Sequence, residues 1–140
     1  MELNRKAKGD LAELKVATDL RERGYKIAFP YGEDWDFDLI LCRKSGALER
    51  VQVKYARSDG CVISVSARSH SLTNGKVRTT KHYTAATIDW LAVWDATFDR
   101  CYYVPAAELG DGMTELSLRL APTRNGQTQR IRMAERYTII

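Results

Sequence analysis

Apolar residues recur along the chain with two periods. From Gly9 to about Arg23, Leu14, Val16, Ala17 and Leu20 fall on one side of a helical wheel. This predicts a helix, with Asp10 able to cap it and Gly24 ending it. Tyr25–Pro30 reads as a short strand. Phe37–Arg43 and Arg50–Tyr55 are apolar or alternating runs joined by Lys44-Ser45-Gly46-Ala47, which predicts a hairpin. Cys61–Ala67 predicts a further strand, followed by a polar stretch with Asn74-Gly75 as its turn. Trp90–Trp94 and Arg100–Val104 predict a second hairpin around Phe98-Asp99. Pro105 to Leu109 reads as a helical turn, Leu116–Leu120 as a late strand, and Arg124–Arg136 as a basic tail. A helix followed by strands and short helical pieces predicts an α/β fold. Its central β-sheet is mixed and flanked by helices, the first of them packed on one face. No repeat, low-complexity tract or linker divides the chain, so residues 1–140 read as one domain.

Alternation in the first hairpin gathers polar groups. Asp38, Ile40 and Cys42 share one face of its first strand, opposite Phe37, Leu39 and Leu41. Gln52 and Lys54 share one face of its second strand, opposite Val51, Val53 and Tyr55. If the turn centres on Gly46, position 38 lies across from position 54. A bulge would shift this register. On the helix, Glu13 falls within the apolar stripe, between Val16 and Ala17 and near the angle of Leu20. A carboxylate there is costly to bury unless it meets a cation or a proton. Gly9, one turn earlier, would permit close approach to the sheet. The natural partners of Glu13 are Lys54, or a metal ion held with Asp38.

Such a group suits phosphodiester hydrolysis, which uses a hard cation to polarise the phosphate and acidify the attacking water. Asp38 and Glu13 offer oxygen ligands for Mg2+ (or Mn2+), and Gln52 a further amide oxygen. Lys54 supplies a fixed positive charge for the transition state. Two carboxylates favour one tightly held metal over two.

Composition narrows the classes without choosing among them. Hydrophobic residues make up 44% of the chain, enough for a core. Twenty-two Lys plus Arg against 18 Asp plus Glu leave a formal charge of +4, a mild excess that permits a nucleic-acid partner. The apolar runs are far too short to span a membrane, and no basic-then-apolar signal segment opens the chain. Cys42, Cys61 and Cys101 are odd in number and widely spaced. They read as reduced core or strand residues of a cytoplasmic protein. Two histidines and no CxxC argue against a zinc site.

Gly9-Asp10-Leu11-Ala12-Glu13, Gly24-Tyr25, Phe37-Asp38-Leu39-Ile40 and Val51-Gln52-Val53-Lys54 follow one another in an order that resembles the PD-(D/E)xK nuclease superfamily. The spacing is most similar to group I intron homing endonucleases of that fold, and more distantly to Holliday-junction resolvases. Tyr83, Ile88-Asp89-Trp90, Tyr102-Tyr103-Val104-Pro105 and Leu118-Arg119-Leu120 resemble the family's second half, so the likeness covers nearly the whole chain. The resemblance implies a restriction-endonuclease-like core, Glu13 and Asp38 at the metal, and Lys54 as the catalytic lysine. Gln52 stands where an acidic residue is usual, a departure that counts against a second metal. It further implies double-stranded DNA as substrate, a homo-oligomer (dimer or tetramer), and a cytoplasmic, nucleoid-associated protein.

Each candidate has a plainer reading. Asp38 could be a strand-start residue, with Asp34 or Asp36 the ligand instead, and Glu13 could turn to solvent. Without those carboxylates, Gln52 and Lys54 would read as the solvated face of an edge strand. Arg68, Lys76, Arg78, Lys81 and His82 form either a solvated loop or a segment that contacts DNA. Arg5, Lys6 and Lys8 form a frayed arm or a second such contact, and Arg124, Arg130 and Arg132 are open to the same two readings. Trp90, Trp94, Phe98, Tyr102 and Tyr103 read as core and hairpin packing, with an oligomer surface as the alternative. Three functions follow: a sequence-selective homing-type endonuclease, a structure-selective junction nuclease, or a catalytically silent DNA-binding module.

Overall fold

The computed structural model describes residues 2–73 and 76–140, and for 69–73 and 76–81 it describes the backbone alone. The chain runs α1 (Arg5–Glu22), β1 (Lys26–Ala28), β2 (Leu39–Cys42), β3 (Leu48–Ala56), β4 (Val62–Ser66), β5 (Arg68–Thr73), β6 (Lys76–His82), β7 (Trp90–Asp95), β8 (Arg100–Pro105) and β9 (Glu115–Arg119). Short 3-10 turns follow β8 and β9, at Ala106–Glu108 and Ala134–Tyr137. Among the described residues the flanking helical elements are therefore α1 and these two turns, whose buried Ala106, Ala134 and Tyr137 pack on the opposite side of the core from α1.

The helix begins a turn earlier than Asp10. The Asn4 side chain accepts a 2.8 Å bond from the Ala7 N–H, satisfying one of the free donors of the first turn. At the other end the N–H groups of Gly24 and Tyr25 bond the carbonyls of Arg21 and Leu20. Gly24 adopts φ 91° there, a conformation a side chain disfavours, and the helix stops. Ala12, Val16, Ala17 and Leu20 form the buried stripe; Leu14 is 61% exposed and lies off it. Gly9 makes no close approach, because a Cβ at that position would meet open space.

The central sheet has the order β1-β2-β3-β7-β8. All its pairs are antiparallel except β3 with β7, so the sheet is mixed as expected. Alternation along β7 explains its near-complete burial. Ala92 and Trp94 pack with the α1 stripe, Leu39, Leu41, Val51 and Val53. Leu91 and Val93 pack on the other face with Ile63, Val65, Leu116 and Leu118 from the small β4–β9 sheet. The result is three layers around one mixed sheet. Strands β5 and β6 pair with each other as a separate ribbon, where the sequence pattern gave only a polar stretch. The turn placed at Asn74-Gly75 lies outside the described residues. Cys42 and Cys101 are partly buried, whereas Cys61 is exposed just before β4. Trp94, Tyr102 and Tyr103 belong to the core and Phe98 is exposed at the β7–β8 turn.

The β2–β3 register differs from the expected one. Leu39 pairs with Val51 and Cys42 with Leu48. The loop closes with the Gly46 N–H on the Arg43 carbonyl and the Arg43 N–H on Ala47, both at 2.9 Å, with Gly46 at φ 94°. Three residues thus form the loop and Gly46 ends it rather than centring it. Continued to position 38, this register faces Gln52, not Lys54.

Where β3 and β7 end together, the fully buried Asp95 carboxylate accepts the Ser58 N–H and Oγ–H, each at 2.9 Å, and the Thr97 N–H at 3.1 Å. Asp95→Ala would leave the two Ser58 donors buried without this partner. It is expected to lower unfolding stability by about 3 kcal/mol in a denaturant titration.

Candidate active site

Strand β3 outruns its neighbour β2. On that edge the ladder ends at Val51, and the Asp38 N–H bonds the Val51 carbonyl at 2.8 Å while Leu39 also pairs with Val51. Two residues opposite one is the geometry of a bulge, which re-aims the side chain of Asp38. Its carboxylate Oδ2 accepts the Val53 N–H at 2.8 Å, filling the place of the missing strand. Asp38 is thus fixed by backbone geometry at the point where the two strands part.

Glu13 reaches the same point from α1. Its carboxyl is hydrogen-bonded with Asp38 and is pushed up to about 7. The largest cause is burial, then the hydrogen bond and the negative charge of Asp38, then the charge of Asp10; Lys6 opposes them. Two carboxyl groups in contact cannot both ionise cheaply without a cation. Together they border an open cleft of about 300 Å³, walled also by Glu33, Asp34 and the aromatic rings of Phe29, Trp35 and Phe37. The loop carrying those rings was not singled out by sequence reasoning, though aromatics set among Gly and acidic residues were its available signal.

Gln52 and Lys54 stand on the opposite face of β3 from Val51 and Val53, as alternation predicts, and do not line this cleft. Lys54 Nζ donates to the Arg68 carbonyl at 3.3 Å and lies 5.1 Å from the centroid of the Tyr83 ring. Burial lowers its pKa, and the charge of Asp38 partly opposes that shift. Lys54 and Asp38 therefore interact electrostatically across the parted strands. Among the described residues, the Gln52 amide makes a single long contact, Nε2 to its neighbour Val53 O at 3.5 Å. Asp34 borders the cleft, and Asp36 lies within the electrostatic reach of Arg50.

The basic candidates divide. Lys6 is exposed and pairs with Asp10 at 3.3 Å, while Lys8 lies 5.6 Å from the Tyr55 ring centroid, both on the first turns of the helix that carries Glu13. Arg68 opens β5 and is partly exposed; His82 closes β6 and is exposed. The side chains of Lys76, Arg78 and Lys81 lie outside the described residues. A separate cleft of about 330 Å³, lined by Lys15, Asp19, Arg23 and Cys101, holds none of the four site candidates. Four of its charged residues are already matched in the Lys15–Asp99 and Arg23–Asp19 pairs.

A sequence model of the PD-(D/E)XK endonucleases matches residues 3–140. The chain belongs to that family. No curated protein matches the chain. Among solved structures, a bacterial homing endonuclease, I-Ssp6803I, superposes with a TM-score of 0.73 at 20% identity, over 96% of this chain and 88% of the other. The two share the fold. Enzymes of the PD-(D/E)XK family generally use divalent metal ions. The donors here suit one: two oxygen-bearing carboxyls in contact, one of which resists ionisation until a cation joins them. Among the described residues no group of three or more His, Cys, Asp and Glu side chains is placed to hold a metal. No helix among them is long and apolar enough to cross a membrane.

Proposed function

We propose that this PD-(D/E)XK endonuclease hydrolyses phosphodiester bonds of double-stranded DNA with Mg2+ (or Mn2+), as a sequence-selective enzyme of the homing type. The observation that supports the reading is the pairing of the Glu13 and Asp38 carboxyls where β2 and β3 part, with the Lys54 ammonium within electrostatic reach of Asp38. In this reading Glu13 and Asp38 would hold the cation, and the Gln52 amide oxygen, on the strand just outside their cleft, would be a third donor. The bound cation supplies charge that polarises the phosphate and favours ionisation of water. Lys54 holds a positive charge behind Asp38, where it favours the extra negative charge of the transition state over the ground state. The bulge and the Val53 N–H fix Asp38 before substrate arrives, so little reorganisation is required of it. Lys6, Lys8, Arg68, Lys76, Arg78, Lys81 and His82 grip the phosphate backbone, and residues 1–140 act as one domain. A chain of 140 residues spans little duplex. A long target therefore calls for a homo-oligomer, dimer or tetramer, acting in the cytoplasm at the nucleoid.

The deciding experiment is sequencing of the ends produced from a random-duplex library with Mg2+, alongside branched duplexes. Recurrent ends at one sequence are expected. Cleavage confined to branches would replace the homing reading with the junction-resolving one, and a strict monomer on DNA by light scattering would count against it.

Gln52 gives a narrower test. Gln52→Ala is expected to slow cleavage on the order of 10-fold at saturating DNA while duplex affinity stays within about 2-fold, since most affinity lies in phosphate contacts. Gln52→Glu should keep the fold and alter the preference between Mg2+ and Mn2+. Equal rates for Gln52→Ala and wild type in single-turnover cleavage would remove Gln52 from the site.

A further inference from the structure

The β5–β6 ribbon is rooted at the residues that hold Lys54. Its two strands converge at Ala67 and Tyr83, where the Tyr83 N–H bonds the Ala67 carbonyl at 3.1 Å. Arg68 pairs with His82 next along the ribbon. In an antiparallel pair, bonded and non-bonded positions alternate. With 67 and 83 bonded, the Arg68 carbonyl points away from β6. It instead accepts Lys54 Nζ at 3.3 Å and Ser66 Oγ–H at 2.9 Å. Tyr83 is 5% exposed and packed with Ile63, Val65 and Leu91, so its ring is held in place. The Lys54 ammonium lies within cation–π range of it, 5.1 Å from the centroid.

We propose that Tyr83 and the Arg68 carbonyl form the seat of Lys54, which makes Tyr83 a positioning residue and ties the placement of the β5–β6 ribbon to the catalytic charge. Among the described residues the contacts of the ammonium are a π-face and one carbonyl rather than a carboxylate, so it is held without being ion-paired. Its charge stays available toward Asp38 and a phosphate beside it. A ribbon that shifts when its basic residues engage DNA would carry the Arg68 carbonyl, and with it Lys54. The proposal rests on the nuclease reading for its catalytic half and on geometry alone for the seat.

The test replaces Tyr83 by phenylalanine and then by phenylalanines bearing progressively more ring fluorine. Shape is nearly constant across the series, while the negative face of the ring is withdrawn. Tyr83→Phe removes the hydroxyl, keeps the ring face and sets the reference rate for the series. The most fluorinated ring should slow single-turnover cleavage roughly 3- to 30-fold with duplex affinity unchanged. A merely structural role would give one rate across the series, and that flat result would overturn the proposal. A second measurement needs no cleavage: the Lys54 ε-methylene protons should be shifted upfield by the ring in the NMR spectrum of the wild type, and the shift lost in Tyr83→Leu. An unshifted signal in the folded wild type would overturn the seat. Failure of the wild type to cut any DNA with the upfield shift present would overturn the nuclease reading and the catalytic half, leaving the seat standing.

Discussion

Asp38→Asn and Lys54→Met are expected to abolish nearly all strand cleavage while leaving duplex binding in place. The asparagine keeps a side-chain oxygen that can still accept the Val53 N–H, now made at 2.8 Å, so the parting of β2 and β3 survives. It removes the charge that would hold a cation. The methionine keeps the apolar stem of Lys54 and removes its ammonium from the Arg68 carbonyl and the Tyr83 ring. Each loss falls on charge that matters more in the transition state than in the ground state, and each is expected to slow cleavage by about 10²- to 10³-fold or more. Binding should persist because phosphate contacts elsewhere supply most of the affinity. Calorimetry should separate the two: Asp38→Asn weakens Mg2+ binding and Lys54→Met does not. Plasmid nicking and fluorescence anisotropy on the same preparations read the other two quantities. If the wild type cuts no better than either variant, the catalytic assignment is wrong and the hairpin is a scaffold for holding DNA.

The placement of Lys54 and Gln52 on one face of β3 was legible in the sequence for a physical reason. Strand alternation put Lys54 and Gln52 on one face and Val51 and Val53 on the other, and burial forces that choice: Val51 is fully buried against α1. Glu13 was legible because a carboxylate within a helix's apolar stripe demands an explanation, and its hydrogen bond with Asp38 gives one. The register was not legible. Gly46 marks the loop, yet a glycine can centre a turn or close it with a bulge, and the choice moves position 38 from Lys54 to Gln52. The bulge that then aims Asp38 at the Val53 N–H depends on where β2 stops, which is set by tertiary pairing.

The remainder was hidden for two further reasons. The ribbon β5–β6 pairs with itself outside the central sheet, so it has no apolar alternation to announce it. The Tyr83 ring beneath Lys54 and the parallel pairing of β3 with β7 join residues about 30 to 40 positions apart. No local pattern encodes which of several apolar strands becomes the neighbour. The early helix start was available, since Asn4 is a strong cap, but the basic residues Arg5, Lys6 and Lys8 before Gly9 read as a frayed arm.

Glu13→Gln is expected to move two observables in opposite directions. In the metal-free protein the Glu13 carboxyl ionises at about 7 instead of its ordinary 4.5, chiefly because of burial and next because of Asp38. The folded state therefore binds the proton more tightly than the unfolded chain does. The stability that this proton confers is fully present below about 4.5 and is lost as pH rises through about 7. Glutamine mimics the protonated form at every pH. Without metal, the variant should melt with the wild type near pH 4.5 and above it at pH 8. Excess Mg2+ should then raise the wild-type melting temperature at pH 8, because a ligand that binds only the folded state stabilises it. The variant should respond far less, and its cleavage should fall on the order of 10²-fold. A variant that is more stable yet inactive would place Glu13 among groups whose strain is relieved by the cation they serve. Identical metal-free melting at pH 8 would mean that the Glu13 carboxylate is solvated in the folded protein, and both halves of the argument would fail together.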